Sequence, residues 1–219
     1  MPKLQLALDM FDLPSALAPL QKAAEHIDII ECGTILCLSE GMHAVRAIKS
    51  LFPAKTVLAD VRIAEAGSII SKLAFDSGAD WVTVVSGAAP ASFGVVQKEA
   101  GARGREVQVE LSDGWTWEQV KSWRELGIGQ IITKRSRDLE AAGELSWKED
   151  DFDTIRKLAQ LGYKVSVAGG VTLEDVPRFA DLPVYAFIVG RAIYGSDDPA
   201  AAAAGFQKVM LEAFGEVKA

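Results

Sequence analysis

Asp60, Arg62 and Glu65 fall together where an apolar run ends, in the stretch LADVRIAEAG from Leu58 to Gly67. Val57, Leu58, Ala59 and Val61 surround Asp60, the pattern of a buried strand running out. Two carboxylates and a guanidinium at one strand end can hold a cation, stabilise an anion or move a proton. Taken alone, the same residues also fit an ordinary strand exit, with solvated charges and an acid near the helix that Gly67 opens. The other strand ends decide between these readings. They carry Asp9, Glu31, Ser86, Glu110, Lys134 with Arg137, Gly169-Gly170 and Gly190-Arg191. Any one of these is as readily a surface charge or a tight turn. On a shared rim, Asp9, Glu31, Asp60 and Glu110 would repel one another unless cations lie among them. A divalent metal, Arg62 and Lys134 would supply that compensation. Hard oxygen donors with no His at any strand end point to Mg2+ rather than zinc.

Gly169-Gly170 and Gly190-Arg191 form a second constellation. Glycines let backbone N–H groups approach an anion, and a following helix N-terminus adds a favourable dipole. Arg191 can grip a phosphate with a planar fork. A tight turn beside a surface arginine is the plainer reading; the repetition of the pattern in two successive loops favours phosphate.

These residues share a rim only if one sheet carries them. Short apolar runs alternate with amphipathic patterns along the whole chain. The runs are Leu4–Leu8, Ile27–Ile30, Thr56–Val61, Trp81–Val85, Val107–Leu111, Gln130–Thr133, Lys164–Val167 and Ala186–Val189. Their continuous apolar character is that of parallel strands buried on both faces. Helical patterns cover Leu13–Ala24, Glu40–Leu51, Ala66–Ser77, Ser92–Ala100, Thr116–Leu126, Glu149–Leu161, Leu173–Phe179 and Pro199–Phe214, several stopped by a glycine such as Gly78, Gly127 or Gly162. Eight β-then-α units predict an α/β fold, a single (β/α)8 TIM barrel over 1–219, with the site at the C-terminal strand ends. A doubly wound open sheet is the alternative; regular units without an interposed domain favour closure.

Composition agrees. The chain has 219 residues, 49% of them hydrophobic, enough for one large core. A net charge of −7 and no basic run argue against nucleic acid as a partner. No apolar run is long enough for a membrane span, and MPKLQLALDMFD lacks the form of a signal peptide. Cys32 and Cys37 are too few for a disulfide framework and read as reduced, packed thiols of a cytoplasmic protein. His26 and His43 fall in helical patterns, which argues against a Ser-His or Cys-His hydrolase. Trp115, Trp117, Trp123 and Trp147 read as packing residues.

The segments LQLALD, DIIECGTILCLSEG, VLADVRIAEAG, ADWVTV, VQVEL, GWTWEQVKSWRELGIGQ, RSRD, SVAGGV and FIVGRAIYG resemble the orotidine-5′-phosphate decarboxylase suprafamily along the whole chain. Within it they resemble the branch of 3-keto-L-gulonate-6-phosphate decarboxylase and D-arabino-hex-3-ulose-6-phosphate synthase. The resemblance implies a homodimer with sites at the subunit interface. It implies Mg2+ on Glu31 and Asp60, and a sugar phosphate on the Gly170 and Arg191 loops.

The chain departs from the family where chemistry is expected. The strand-3 motif Asp-x-Lys-x-x-Asp is here Asp60-x-Arg62-x-x-Glu65, and Glu65 should reach into the partner's site as the family's second Asp does. Lys134 stands where the decarboxylases place a His; Arg137 is retained. Glu110 matches the decarboxylases, whereas Ala168 and the segment AIYGSDDPAAAA lean toward the synthases. The resemblance implies an enediolate route, in which Arg62 can stabilise the intermediate but is a poor acid. Lys134 and Arg137 would then position the water that reprotonates it. The leading expectation is a Mg2+-dependent carbon–carbon lyase acting on a keto-sugar-acid phosphate. An aldolase of the synthase kind and a non-catalytic sugar-phosphate-binding barrel are the alternatives.

Overall fold

Each of the eight apolar runs is a strand, and the strands close on themselves. In a computed structural model that describes residues 1–135 and 147–215, they are β1 (Lys3–Leu8), β2 (Ile29–Cys32), β3 (Thr56–Ile63), β4 (Trp81–Val85), β5 (Glu106–Glu110), β6 (Gln130–Lys134), β7 (Lys164–Ala168) and β8 (Val184–Val189). All neighbours pair in parallel and in sequence order, and β8 pairs back onto β1. This is the expected (β/α)8 barrel. Arg137 lies outside the described residues.

The helices are α1 (Leu13–Ala23), α2 (Thr34–Glu40), α3 (Met42–Leu51), α4 (Gly67–Asp76), α5 (Pro90–Gly101), α6 (Trp117–Glu125), α7 (Glu149–Gln160), α8 (Arg191–Tyr194) and α9 (Pro199–Phe214). Local chemistry sets several starts. Asp12 accepts a hydrogen bond from Ser15 N at 2.8 Å and caps α1. Thr116 and Gln119 form a reciprocal capping box at α6. Asp198 caps α9, with Pro199 in its first turn.

Three elements differ from expectation. The second strand is Ile29–Cys32, not Ile27–Ile30. A 3-10 turn over Ala24–His26 ends with Ile27 N donating to Ala24 O, and the Asp28 carboxylate accepts from Leu4 N at 2.8 Å, so the strand starts at Ile29, two residues later than expected. The helix expected over Glu40–Leu51 begins at Met42 as α3, because Gly41, whose φ of 62° no helix accommodates, separates it from α2, a helix the sequence reading did not include. The helix expected over Leu173–Phe179 is only a 3-10 turn over Val176–Phe179, because the Asp175 carboxylate accepts from Thr172 N at 3.0 Å and Pro177 follows.

The main core lies between barrel and helices, where Leu4, Leu6 and Leu8 of β1 meet Leu20, Phe187 and Phe206. Trp123 stacks on Phe93 at 4.9 Å and Trp147 meets Phe179 edge-on at 5.1 Å, so these tryptophans are packing residues. Cys32 and Cys37 are buried free thiols.

Inside the barrel, side chains at one height come from alternate strands because the strands tilt. Following the register round the barrel gives four layers. Ile29, Trp81, Gln130 and Ala186 lie lowest, and above them come Gln5, Leu58, Gln108 and Ser166. Glu31, Thr83, Ile132 and Ile188 form the next layer; Ala7, Asp60, Glu110 and Ala168 form the uppermost. Two small apolar clusters, separate from the main core, follow this order: Ile29, Leu58, Trp81 and Ala186 below, and Ala7, Ile132 and Ile188 above. The charged groups therefore occupy the two layers nearest the C-terminal mouth.

Candidate active site

Glu31 and Asp60 lie within strands, not beyond them, and point into the barrel, each only 7% exposed. Thr34, at the start of α2, donates to Asp60 Oδ2. Thr83 of β4 donates to Asp60 Oδ1 at 2.7 Å and accepts from Arg62 N at 2.8 Å. Gln5 of β1 donates its amide to Glu31 Oε2 at 2.6 Å. Sequence reading missed all three of these supports; Gln5 and Thr83 showed only as polar residues inside apolar runs, and Thr34 gave no signal.

The end of β3 is irregular, and the irregularity aims the site. Its pairing with β4 slips between Ala59 and Ile63. Arg62 takes a left-handed φ of 45°, and Ala66 one of 52°. Such conformations cost about 1–3 kcal/mol each in non-glycine residues and persist only where surrounding structure holds them. The bulge turns the Arg62 side chain across the mouth to Glu110.

Glu110 ties the cations together. Arg62 Nη2 lies 2.9 Å and Lys134 Nζ 2.8 Å from the same oxygen, Glu110 Oε1. The carboxylate is 7% exposed, so the pairing is shielded from water on its acidic side. Asp9, at the end of β1, completes the acidic set. Its carboxylate accepts from Ile35 N at 3.4 Å, and a Cβ at Gly33 would lie 2.5 Å from Asp9 Oδ1, so that approach requires glycine.

Two carboxylates share an unfavourable field. Burial pushes the Glu31 carboxyl well above the usual range, and the charges of Asp60, Asp9 and Glu110 push it further against the Gln5 hydrogen bond. Burial and the charge of Glu110 raise Asp60, opposed by Thr34, Thr83 and Arg62. Among the described residues no cationic side chain forms an ion pair with either, and no three His, Cys, Asp or Glu side chains are grouped as a metal cage.

The loops after β7 and β8 flank the same mouth. Gly169 and Gly170 both have positive φ, 92° and 63°. A Cβ on Gly169 would lie 2.6 Å from backbone atoms of Arg135, so only glycine fits there. Arg135 braces the loop from beneath, donating to Gly169 O and Gly170 O at 2.8 Å each while its guanidinium stacks over Trp147 at 4.6 Å. Gly190 needs no positive φ; it precedes α8, whose first residue is the exposed Arg191.

Two expected rim residues stand apart from this cluster. The Ser86 hydroxyl accepts from Ser112 N at 2.9 Å and lies 2.9 Å from Ser112 Oγ, bolting β4 to the β5 exit. Glu65 is exposed and makes no hydrogen bond or ion pair among the described residues.

The sequence profile of the orotidine 5'-phosphate decarboxylase / HUMPS family matches residues 2–206. The chain is 45% identical to the 3-keto-L-gulonate-6-phosphate decarboxylase UlaD of Escherichia coli, over 98% of this chain and 99% of that one. Its backbone matches a ligand complex of KGPDC from Streptococcus mutans with a TM-score of 0.94 and 36% identity, covering 96% of this chain and 98% of that one. It matches 3-hexulose-6-phosphate synthase from Salmonella typhimurium with a TM-score of 0.89 and 35% identity, covering 96% and 99%. Profile, sequence and backbone agree almost end to end, and the chain belongs to the orotidine 5'-phosphate decarboxylase / HUMPS family.

Proposed function

We propose that this protein is a Mg2+-dependent carbon–carbon lyase that decarboxylates 3-keto-L-gulonate 6-phosphate or a close analogue. The observation that carries the reading is the bridge of Arg62 and Lys134 on Glu110, in the layer that also holds Asp60. The 45% identity to a decarboxylase of that substrate supports the choice of reaction.

The residues fit the ion. Glu31 and Asp60 are buried hard-oxygen donors whose mutual repulsion a divalent cation would relieve, and Mg2+ completes its shell with water when a protein supplies only one or two carboxylates. Held by these two residues, Mg2+ would supply Lewis acidity toward the substrate's oxygens. In the reaction, the bond to the carboxylate breaks, CO2 leaves, and the electron pair stays on the adjacent carbon as an enediolate. Arg62 faces that charge with a fixed positive fork. Lys134, with Arg137, holds the water that returns a proton to carbon. Glu110 keeps Arg62 and Lys134 oriented through both events. Asp9 binds substrate hydroxyls.

The phosphate rests on Gly169, Gly170, Gly190 and Arg191. Arg191→Ala should raise KM for the phosphorylated substrate about ten- to a hundredfold with kcat nearly unchanged, roughly the 1.5–3 kcal/mol of a charged hydrogen bond. Steady-state kinetics at saturating Mg2+ measure it; an unchanged KM means the loops hold something else.

Glu65 and its neighbours support a homodimer with shared sites. Glu65 is exposed beside α4, where Ile69 and Leu73 are 64% and 56% exposed; Leu38 on α2 is 78% exposed. Ile69→Glu with Leu73→Glu should give a folded monomer that has lost activity; sedimentation and circular dichroism test this, and an active monomer refutes the shared site. No described helix is long and apolar enough to cross a membrane, and we place the enzyme in the cytoplasm.

One feature favours a second reaction. Ala168 ends β7 in the uppermost layer, and the backbone matches a hexulose-6-phosphate synthase closely. Aldol addition of formaldehyde passes through the same enediolate. Incubating the protein with phosphorylated keto acids, and separately with a pentulose phosphate plus formaldehyde, with and without Mg2+, separates the reactions. CO2 release only in the first arm supports the decarboxylase; condensation alone replaces it with the aldolase.

A further inference from the structure

Below the charged mouth lies a polar layer that the proposed chemistry does not use. Gln5, Gln108 and Ser166 share one height with Leu58, and all four are wholly buried. Side chains of one barrel layer converge on the axis. Three atoms there have no hydrogen-bond partner among the described residues: Gln5 Oε1, Gln108 Oε1 and Ser166 Oγ.

The amide orientations follow from carboxylates at each end. Glu106 can only accept, so Gln130 donates its Nε2 to Glu106 Oε2, at 2.6 Å. Gln130 Oε1 is then the acceptor, and Gln108 donates to it at 2.8 Å. That leaves Gln108 Oε1 facing the axis. On the opposite wall Gln5 gives its Nε2 hydrogen to Glu31 Oε2, which leaves Gln5 Oε1 without a partner. Flipping Gln108 would set oxygen against oxygen. Two carbonyl acceptors and one hydroxyl of a single layer are thus left without partners. A polar group buried without a partner is costly, and three such groups in one layer would draw on a large fraction of a domain's stability.

We propose that this layer binds one ordered water molecule, which donates to Gln5 Oε1 and Gln108 Oε1 and accepts from the Ser166 hydroxyl. Its donor and acceptor count matches the three groups, and about three hydrogen bonds is the usual number for buried water. The water completes a continuous polar rail, Glu106–Gln130–Gln108–water–Gln5–Glu31, from the floor of the barrel to its mouth. It makes Gln5 a positioning residue, clamped at both ends of its amide, that fixes the rotamer of Glu31. This second role rests on the reading of Glu31 as a metal ligand; the water itself does not.

Crystal structures of the wild type, Ser166→Ala and Ser166→Thr, at a resolution that resolves ordered solvent, test the site. Mn2+ binding, followed by electron paramagnetic resonance, tests the link to Glu31. Density for a water in reach of all three atoms is expected in the wild type and in Ser166→Thr, and its loss or displacement in Ser166→Ala. Mn2+ affinity should fall about tenfold in Ser166→Ala, the size of effect that groups behind a metal ligand exert, and Ser166→Thr should restore it. An empty layer overturns the proposal, and so does density with the short bonds of an alkali cation. Water present with equal Mn2+ affinity in all three proteins refutes the positioning role. A wild type that binds no divalent cation sinks the metal reading instead, and leaves the electron density to decide this one.

Discussion

Asp60→Asn is expected to reduce Mg2+-dependent decarboxylation by about three decades in kcat/KM, a loss of roughly 4 kcal/mol in transition-state stabilisation. The variant should still fold, with stability within about 2 kcal/mol of the wild type. Thr34 and Thr83 hold Asp60 through hydroxyls, which can turn to accept from an amide where they donated to a carboxylate. The substitution therefore removes a charge with little change of shape. Full activity of the EDTA-treated wild type would remove the basis of this expectation.

The same carboxylates give that prediction a pH dependence. Glu31 and Asp60 have folded-state pKa values raised above their unfolded ones, so the metal-free fold binds protons more tightly than the unfolded chain. Their stabilising contribution is complete below the unfolded carboxylate range, around pH 4, and is lost as pH rises through the raised values. Metal binding must displace those protons. The Tm increase caused by Mg2+ should accordingly be larger at pH 8 than at pH 5.5 in the wild type. In Asp60→Asn the increase should nearly vanish, and the metal-free variant should match or exceed metal-free wild type at pH 8. Calorimetry at the two pH values decides; an Mg2+ effect independent of pH means that these carboxylates are not the ligands.

The barrel was legible because parallel strands buried on both faces leave continuous apolar runs, and each run here became a strand. That same property hid the inner face. In β2 both sides are buried, so nothing in Ile29–Cys32 marked Glu31 as an inward strand residue rather than the first residue of a loop. The rim charges were legible as a group because Asp60, Glu110 and Lys134 each sit at or near a strand's last position. Their supports were not. Gln5 reaches Glu31 across 26 residues and Thr83 reaches Asp60 across 23, contacts that only barrel closure creates. The left-handed turn at Arg62 was also invisible, since arginine is not a residue that announces positive φ. Nothing in the sequence marked Arg135 for a structural role, yet it is the brace of the glycine loop after β7.

Arg62 and Lys134 meet on one oxygen of Glu110, and this shared anchor makes these two departures from the family pattern a coupled pair, with Glu65 outside it. Arg62→Met should lower kcat about 10³-fold, the scale of losing a fixed donor to a developing oxyanion. Arg62→Lys keeps the charge but loses the planar fork that reaches Glu110 from a strained backbone, and should still cost at least about tenfold in kcat, roughly 1.4 kcal/mol. Lys134→His alone should also lose, because a shorter imidazole leaves one side of a buried carboxylate unpaired. Groups anchored on one carboxylate are not additive. Combining Arg62→Lys, Glu65→Asp and Lys134→His restores a complete family set and should recover decarboxylation of 3-keto-L-gulonate 6-phosphate beyond the product of the single effects. The measurement is kcat/KM for the wild type, each single variant and the triple variant on that substrate. Strict additivity, or a gain from Arg62→Lys alone over an inactive wild type, defeats the coupled-pair account and leaves a sugar-phosphate-binding barrel without turnover as the better description.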